Sequence, residues 1–253
     1  MSQTPLHMLD LRFDLAQLWR MVRHDGKALA DADLGYAVHA VLFQLFGADH
    51  APKPFALEPM ESGSRLLRVL AYAPVSADEL TAMAPLLALN ETLVHLGSKV
   101  LPRPDQWRPG TRLKFRVQAR PTVRGHKIGA DGKERDLEVD AYQSEINQVG
   151  LEGARSREQV YVTWLGRQFA ALGGAEVLHS ELEGWRLAPL YRKGAGVLGK
   201  PGARRGTRLM SLPEAGFAGT LAVTDGEQFH ALLSRGIGRH RAFGHGMLLI
   251  RPE

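Results

Sequence analysis

The chain has 253 residues, 44% of them hydrophobic, which is enough for one large domain or two small ones with real cores. Lys and Arg number 32 against 27 Asp and Glu, a formal charge of +5 that suits a polyanionic partner without requiring one. No cysteine is present, which excludes disulfides, thiolate metal sites and cysteine nucleophiles, and no apolar run approaches the roughly 18 residues of a membrane span. The opening Met-Ser-Gln-Thr-Pro-Leu-His lacks a basic stretch followed by an apolar one, so a cytoplasmic protein with no membrane partner is expected.

Leu6 to Phe13 alternates loosely as a strand does, and Asp14 is placed to cap a helix carrying Leu15, Leu18, Trp19 and Val22 on one side. A second helix begins near Asp31 or Asp33 and runs to Phe46-Gly47, with Leu34, Val38, Val41 and Leu45 at the helical period. Arg65 to Tyr72 reads as a strand, Ser76 to Leu87 as a capped helix, and Arg112 to Gln118 as a strand with Leu113, Phe115 and Val117 on one face. A polar segment, Gly125 to Gly132, precedes a helix opened by a Ser156/Gln159 capping box, with Val160, Trp164 and Leu165 inward. Gly- and Arg-rich sequence follows from Trp185 to Arg208, then a strand Phe217 to Val223, an Asp225-capped helix to Arg235, a glycine-rich turn and a strand Met247 to Ile250. Interleaved strands and helices with short connections favour an α+β fold of split βαβ type over a bundle or a sandwich.

Two segments concentrate positive charge. Between Arg103 and Arg135 lie ten Lys and Arg against three acids, and strand alternation puts Arg112, Lys114 and Arg116 on the face opposite the apolar one. That face suits phosphates, or is simply a wet sheet surface. From Arg186 to Arg208 the chain carries Arg186, Arg192, Lys193, Lys200, Arg204, Arg205 and Arg208 with no Asp or Glu. Such a self-repelling, glycine-rich stretch is expected to order when phosphates neutralise it.

The turn Gly236-Ile237-Gly238-Arg239-His240-Arg241-Ala242-Phe243-Gly244-His245-Gly246 follows a helix and precedes a strand. A dinucleotide fingerprint needs the reverse order, so that reading is rejected. Glycines here let backbone N–H groups approach an anion, which Arg239, His240, Arg241 and His245 would surround.

Gly236-Ile237-Gly238 through Phe243-Gly244-His245-Gly246-Met247-Leu248 resembles the C-terminal glycine-rich loop of CRISPR repeat-processing endoribonucleases. The likeness is greatest to the subtype I-E branch, in which Phe217-Ala218-Gly219-Thr220-Leu221 corresponds to the strand before the last helix. Leu113-Lys114-Phe115-Arg116-Val117-Gln118-Ala119-Arg120-Pro121 resembles that branch's central strand. The long basic stretch departs from it and points also to a relative from a type IV system. The resemblance implies two tandem ferredoxin-like domains, taken here as residues 1–135 and 136–253, the second with a basic insertion at about 185–210 and the glycine-rich loop at 236–246. It implies a CRISPR repeat RNA hairpin as ligand, cleavage at the hairpin's 3′ base, other effector-complex subunits as partners, and neither metal nor cofactor. The RNA-binding residues expected are Arg112, Lys114, Arg116, Arg120, Arg192, Lys193, Lys200, Arg204, Arg205, Arg208, Gly236, Gly238, Arg239, His240, Arg241, Gly244 and His245.

Metal-free RNA cleavage uses the 2′-OH as nucleophile and needs a proton acceptor, a donor for the leaving 5′-oxygen and positive charge at the phosphorane. The resemblance assigns one of these roles to a histidine of the first long helix, which His39 matches by its distance from Phe46. On a helical wheel His39 lies about 130° from the centre of the apolar stripe, so it does not belong to that helix's core. Tyr36, one turn earlier on nearly the same face, is a candidate orienting group or proton donor, although the family's tyrosine follows the histidine, where Leu42 stands here. Arg23, at the end of the preceding helix, is a candidate for phosphorane stabilisation or a cation at a helix C-terminus. A binding subunit of the same fold without catalysis is the rival reading. A sugar or nucleotide enzyme is a third, with no motif in its favour.

Overall fold

A computed structural model describes residues 4–24, 33–84, 91–128, 134–193 and 207–253. The first unit runs β1 (His7–Asp14), α1 (Leu15–His24), α2 (Leu34–His50), β2 (Phe55–Leu57), β3 (Leu66–Ala73), α3 (Ala77–Met83) and β4 (Leu93–Val100), with strand order β2-β3-β1-β4. The second has β5 (Arg112–Ala119), β8 (Ala175–Lys193), β9 (Thr207–Val223) and β10 (Leu249–Pro252) in the order β10-β5-β9-β8. Its helices are α4 (Ala141–Val149), α5 (Arg157–Leu172) and α6 (Gly226–Arg235), and a separate hairpin, β6 (Thr122–Ile128) with β7 (Glu134–Asp140), follows β5. Each sheet is a ferredoxin-like βαββαβ arrangement, with the first and third strands side by side at the centre and the fourth and second at the edges.

Local sequence explains the element ends. Asp14 accepts from the Gln17 N–H at 2.9 Å, and Asp33 from the Tyr36 N–H at 2.9 Å, so each aspartate satisfies an amide that the first helical turn leaves unpaired. Ser76/Glu79 and Ser156/Gln159 form reciprocal capping boxes at α3 and α5. Gly47 takes φ 73° and kinks the end of α2, leaving one further turn to His50.

The two faces of β1 and β3 divide the interior. Leu9, Leu11 and Phe13 with Leu67, Val69 and Ala71 pack beneath Val38, Val41, Leu42 and Leu45 of α2. Leu70 and Tyr72, on the opposite face, join the core that Phe115, Trp164, Phe169, Phe217 and Phe229 build in the second unit. Full burial of each such large side chain contributes about 1.5–3 kcal/mol. The Tyr72 hydroxyl donates to the Leu248 carbonyl at 2.9 Å, so a buried hydrogen bond joins the units.

Four expectations need correction. The boundary at 135 is displaced, because β5 pairs with β9 and β10 and the first sheet already ends at Val100. The polar segment begins within a strand and does not lead straight to the Ser156 helix: Thr122–Ile128 pairs with Glu134–Asp140, since backbone pairing tolerates polar side chains on both faces of a hairpin. Trp185 to Lys193 and Thr207 to Arg208 are paired strand, with Arg192 opposite Arg208, so the basic insertion extends a hairpin rather than starting as irregular chain. The helix expected to reach Leu87 ends at Met83.

Candidate active site and nucleic-acid interface

The glycine-rich segment is folded back on itself and held between the two units. Ile237 N–H donates to the Gly246 carbonyl at 2.8 Å and Gly246 N–H to the Gln118 carbonyl at 2.6 Å. Gly236 has φ 70°, and a β-carbon there would lie 2.7 Å from the Gly246 oxygen, so glycine is required both by conformation and by space. His240 is the described non-glycine residue with positive φ, at 61°. It is held there by Glu138 of β7, whose carboxylate lies 2.9 Å from His240 Nε2 and 2.7 Å from Arg239. The Glu138 side chain is only 4% exposed, so Arg239 and His240 of the loop are anchored to one buried carboxylate.

The loop delivers Phe243 against α2. The carbonyl of Phe243 abuts Gly35, where no β-carbon would fit, and its ring centroid is 4.6 Å from that of His39 and 6.2 Å from that of Tyr36, nearly parallel to the latter. His39 is half-buried and faces this loop, as the helical wheel requires, while Ala37, Val38 and Val41 fill the core. Tyr36 and His39 are thus brought together, their rings 6.5 Å apart and edge to face. Phe43, one turn beyond His39, is 51% exposed and extends the aromatic row along α2. Arg23 belongs to α1 by its backbone, but its side chain lies outside the described residues.

On one side of Phe243 a cleft is lined by His50, Lys53, Arg235, Arg239 and Arg241, with Asp49 and Glu138 as the acids. On the other side a second cleft contains Asp33, Arg120, Arg186, Glu214 and His245. Burial raises the Asp33 carboxyl above the usual aspartate value, against the opposing effect of the Tyr36 N–H. Among the described residues no group of three or more His, Asp or Glu is placed to hold a metal ion.

Apart from Arg120 and His245, the expected RNA contacts separate into three sets. Gly236, Gly238, Arg239, His240, Arg241 and Gly244 lie together in the loop beside α2. Arg112, Lys114 and Arg116 are exposed on the outer face of the second sheet, but Arg112 pairs with Glu253 at 2.9 Å and Arg116 with Glu183 at 3.0 Å. That face is therefore partly neutralised. Arg192, Lys193 and Arg208 fall in β8 and β9 with side chains outside the described residues, as are Lys200, Arg204 and Arg205 altogether.

Arg120 and His245 need a different role from the surface contacts expected of them. Arg120 is 3% and His245 6% exposed, and Arg120 Nε donates to His245 Nε2 at 2.9 Å, a buried pin at the end of β5. Burial, then the neighbouring Arg120 charge, holds His245 well below the ordinary histidine pKa, so the ring is neutral with its proton on Nδ1. Sequence reasoning missed Glu138, Asp33's place in the cleft and the packing role of Phe243. Phe243 stood in the quoted motif, whereas nothing in spacing ties Glu138 to a loop a hundred residues later.

The family model described as CRISPR associated protein matches residues 11–252. The chain belongs to that family. A curated CRISPR-associated relative, the CRISPR-associated endoribonuclease Cse3 of Thermus thermophilus, is 30% identical over 145 residues, 57% of this chain. The match spans 58% of that relative's own length. Among solved CRISPR-associated structures, the endoribonuclease Cse3 bound to a 19-nt RNA gives a TM-score of 0.61 at 21% identity, over 98% of this chain and 100% of that one. Cas6e from Escherichia coli K-12 gives 0.58 at 20% identity, over 98% and 100%. These likenesses establish the fold of the CRISPR-associated chain as that of two ferredoxin-like domains.

Proposed function

We propose that the protein is a metal-independent endoribonuclease that binds a CRISPR repeat hairpin and cuts precursor RNA at the hairpin's 3′ base, then retains the guide RNA as an effector-complex subunit. The observation that carries this reading is His39: an ionisable side chain turned away from the core of α2 toward the loop segment the family resemblance singled out, 4.6 Å from Phe243. The relative described as an endoribonuclease and the solved complex with a 19-nt RNA support the same substrate class.

In this mechanism the 2′-OH beside the scissile phosphate attacks phosphorus, giving a 2′,3′-cyclic phosphate and a 5′-hydroxyl. His39 moves a proton at one of the two oxygens, Tyr36 orients the phosphate or donates a proton, and Arg23 with the loop arginines lowers the energy of the phosphorane dianion. Glu138 fixes Arg239 and His240 before RNA arrives, so little ordering cost falls on the binding step.

Incubation with repeat RNA in EDTA tests the proposal. Site-specific cleavage with cyclic-phosphate ends is expected; tightly bound but intact RNA would establish the binding subunit instead.

A further inference from the structure

We propose that Trp185 is a stacking platform for an unpaired base of the bound RNA, a site separate from the His39 face. The inference rests on the RNA reading above and adds a contact on β8.

The surroundings of Trp185 are built rather than incidental. The Arg157 guanidinium lies 4.0 Å from the centroid of the Trp185 ring and 4.2 Å from that of Tyr142, so it is sandwiched between the two. Arg157 is itself fixed by Asp140 at 2.6 Å and by the Tyr161 hydroxyl at 2.6 Å. Tyr161 meets the indole edge to face, with ring centroids 6.5 Å apart. The indole is thus held in one orientation by Arg157 and Tyr161 of α5, yet Trp185 remains 46% exposed. Other fixed tryptophans of the second unit are buried: Trp107 is 9% and Trp164 5% exposed.

A large rigid aromatic left open in water loses apolar burial unless something covers it. What covers it is indicated by charge. From Arg186 to Arg208 the sequence carries seven Lys and Arg and no acid, and although Arg186 pairs with Glu214 at 3.1 Å, the segment that begins at the next residue attracts a polyanion rather than an ordinary protein surface. A nucleobase supplies the apolar plane and its phosphates supply the charge. With the Arg157 guanidinium drawing electron density from the indole, its exposed part favours an electron-rich base. Leu187, two residues on and 59% exposed, lies on the same side of β8 and lines the cleft that also contains Phe243. Base and scissile phosphate would therefore belong to one continuous RNA path.

The test is a double-mutant cycle on affinity. Wild-type protein, Trp185→Ala and Trp185→Phe are titrated with intact repeat RNA and with RNAs carrying a single abasic residue at each unpaired position in turn. Trp185→Ala weakens binding by about 5- to 100-fold. One abasic position produces the same loss in wild type and no further loss in the alanine variant, and Trp185→Phe keeps most of the affinity. Iodide quenching of the wild-type fluorescence, less that of Trp185→Phe, falls when RNA binds. Unchanged affinity in Trp185→Ala, or losses that multiply with every abasic RNA, would overturn the platform. The same cycle is run with an unstructured oligonucleotide: coupling there without preference for repeat RNA would keep the platform and remove the repeat-binding reading, while wild type binding neither RNA removes both.

Discussion

Replacing Glu138 by alanine removes the carboxylate that fixes the loop. It makes two charge-assisted hydrogen bonds, at 2.7 Å to Arg239 and 2.9 Å to His240, from a side chain only 4% exposed. The two partners weigh differently. The Arg239 side chain is 38% exposed and recovers water when released, whereas the His240 side chain is 9% exposed and is left in a left-handed backbone conformation without the contact that holds it. Charge-assisted bonds are worth about 1.5–3 kcal/mol each, and counting the Arg239 bond at or below the low end gives a loss of about 2–4 kcal/mol. At about 2–4 °C per kcal/mol for a chain of this size, Tm should fall by about 5–15 °C. Thermal unfolding by circular dichroism measures it, with Glu138→Ala, His240→Ala and the double variant as a cycle. The coupling should exceed about 1 kcal/mol. A Tm within one degree of wild type, or strictly additive losses, would refute the claim that Glu138 anchors the loop.

Tyr72→Phe leaves the Leu248 carbonyl without its 2.9 Å partner between the two units and should cost about 1–2 kcal/mol in urea unfolding with no change in the far-ultraviolet spectrum. His245 gives a pH dependence of definite sign. Its folded pKa lies well below the ordinary value near 6.5, so its contribution is fully present above about pH 6.5 and is lost, by at most about 1.4 kcal/mol per pH unit, as pH falls from there toward the folded value. Asp33, whose pKa is raised by burial, acts in the opposite direction, whereas His230, whose pKa burial lowers, adds a loss of the same sign, so the His245 share of melting curves between pH 7.5 and 5.5 is the part that its substitution removes. His245→Gln should flatten that slope.

Periodicity and caps made most helices legible: the Asp14, Ser76, Ser156 and Asp225 caps stand where the sequence placed them, and Asp33 is the cap of the two offered, Asp31 or Asp33, because a capping side chain is a local signal. Strands were harder. β4, with Leu93 buried and Val94 exposed but little further alternation, and the outer half of β8, rich in Arg and Gly neighbours, are strands through pairing with partners distant in sequence. The position of His39 was recoverable from the helical period alone. Its partner Phe243 was not, since the approach of loop to helix depends on Gly35 lacking a β-carbon and on the loop's anchoring at Glu138. Arg120 shows the opposite failure: an arginine next to a basic strand reads as surface charge, yet it is buried because β5 ends there between the two units.

The central claim, that this aromatic-walled face of α2 performs the chemistry, is tested most directly by His39→Ala with repeat RNA under single-turnover conditions and saturating protein. If His39 transfers a proton in the transition state, the cleavage rate falls by roughly 10²- to 10⁴-fold while hairpin affinity stays within about twofold of wild type. Cleavage at the wild-type rate would contradict the account and move the chemistry to Tyr36 and the arginines.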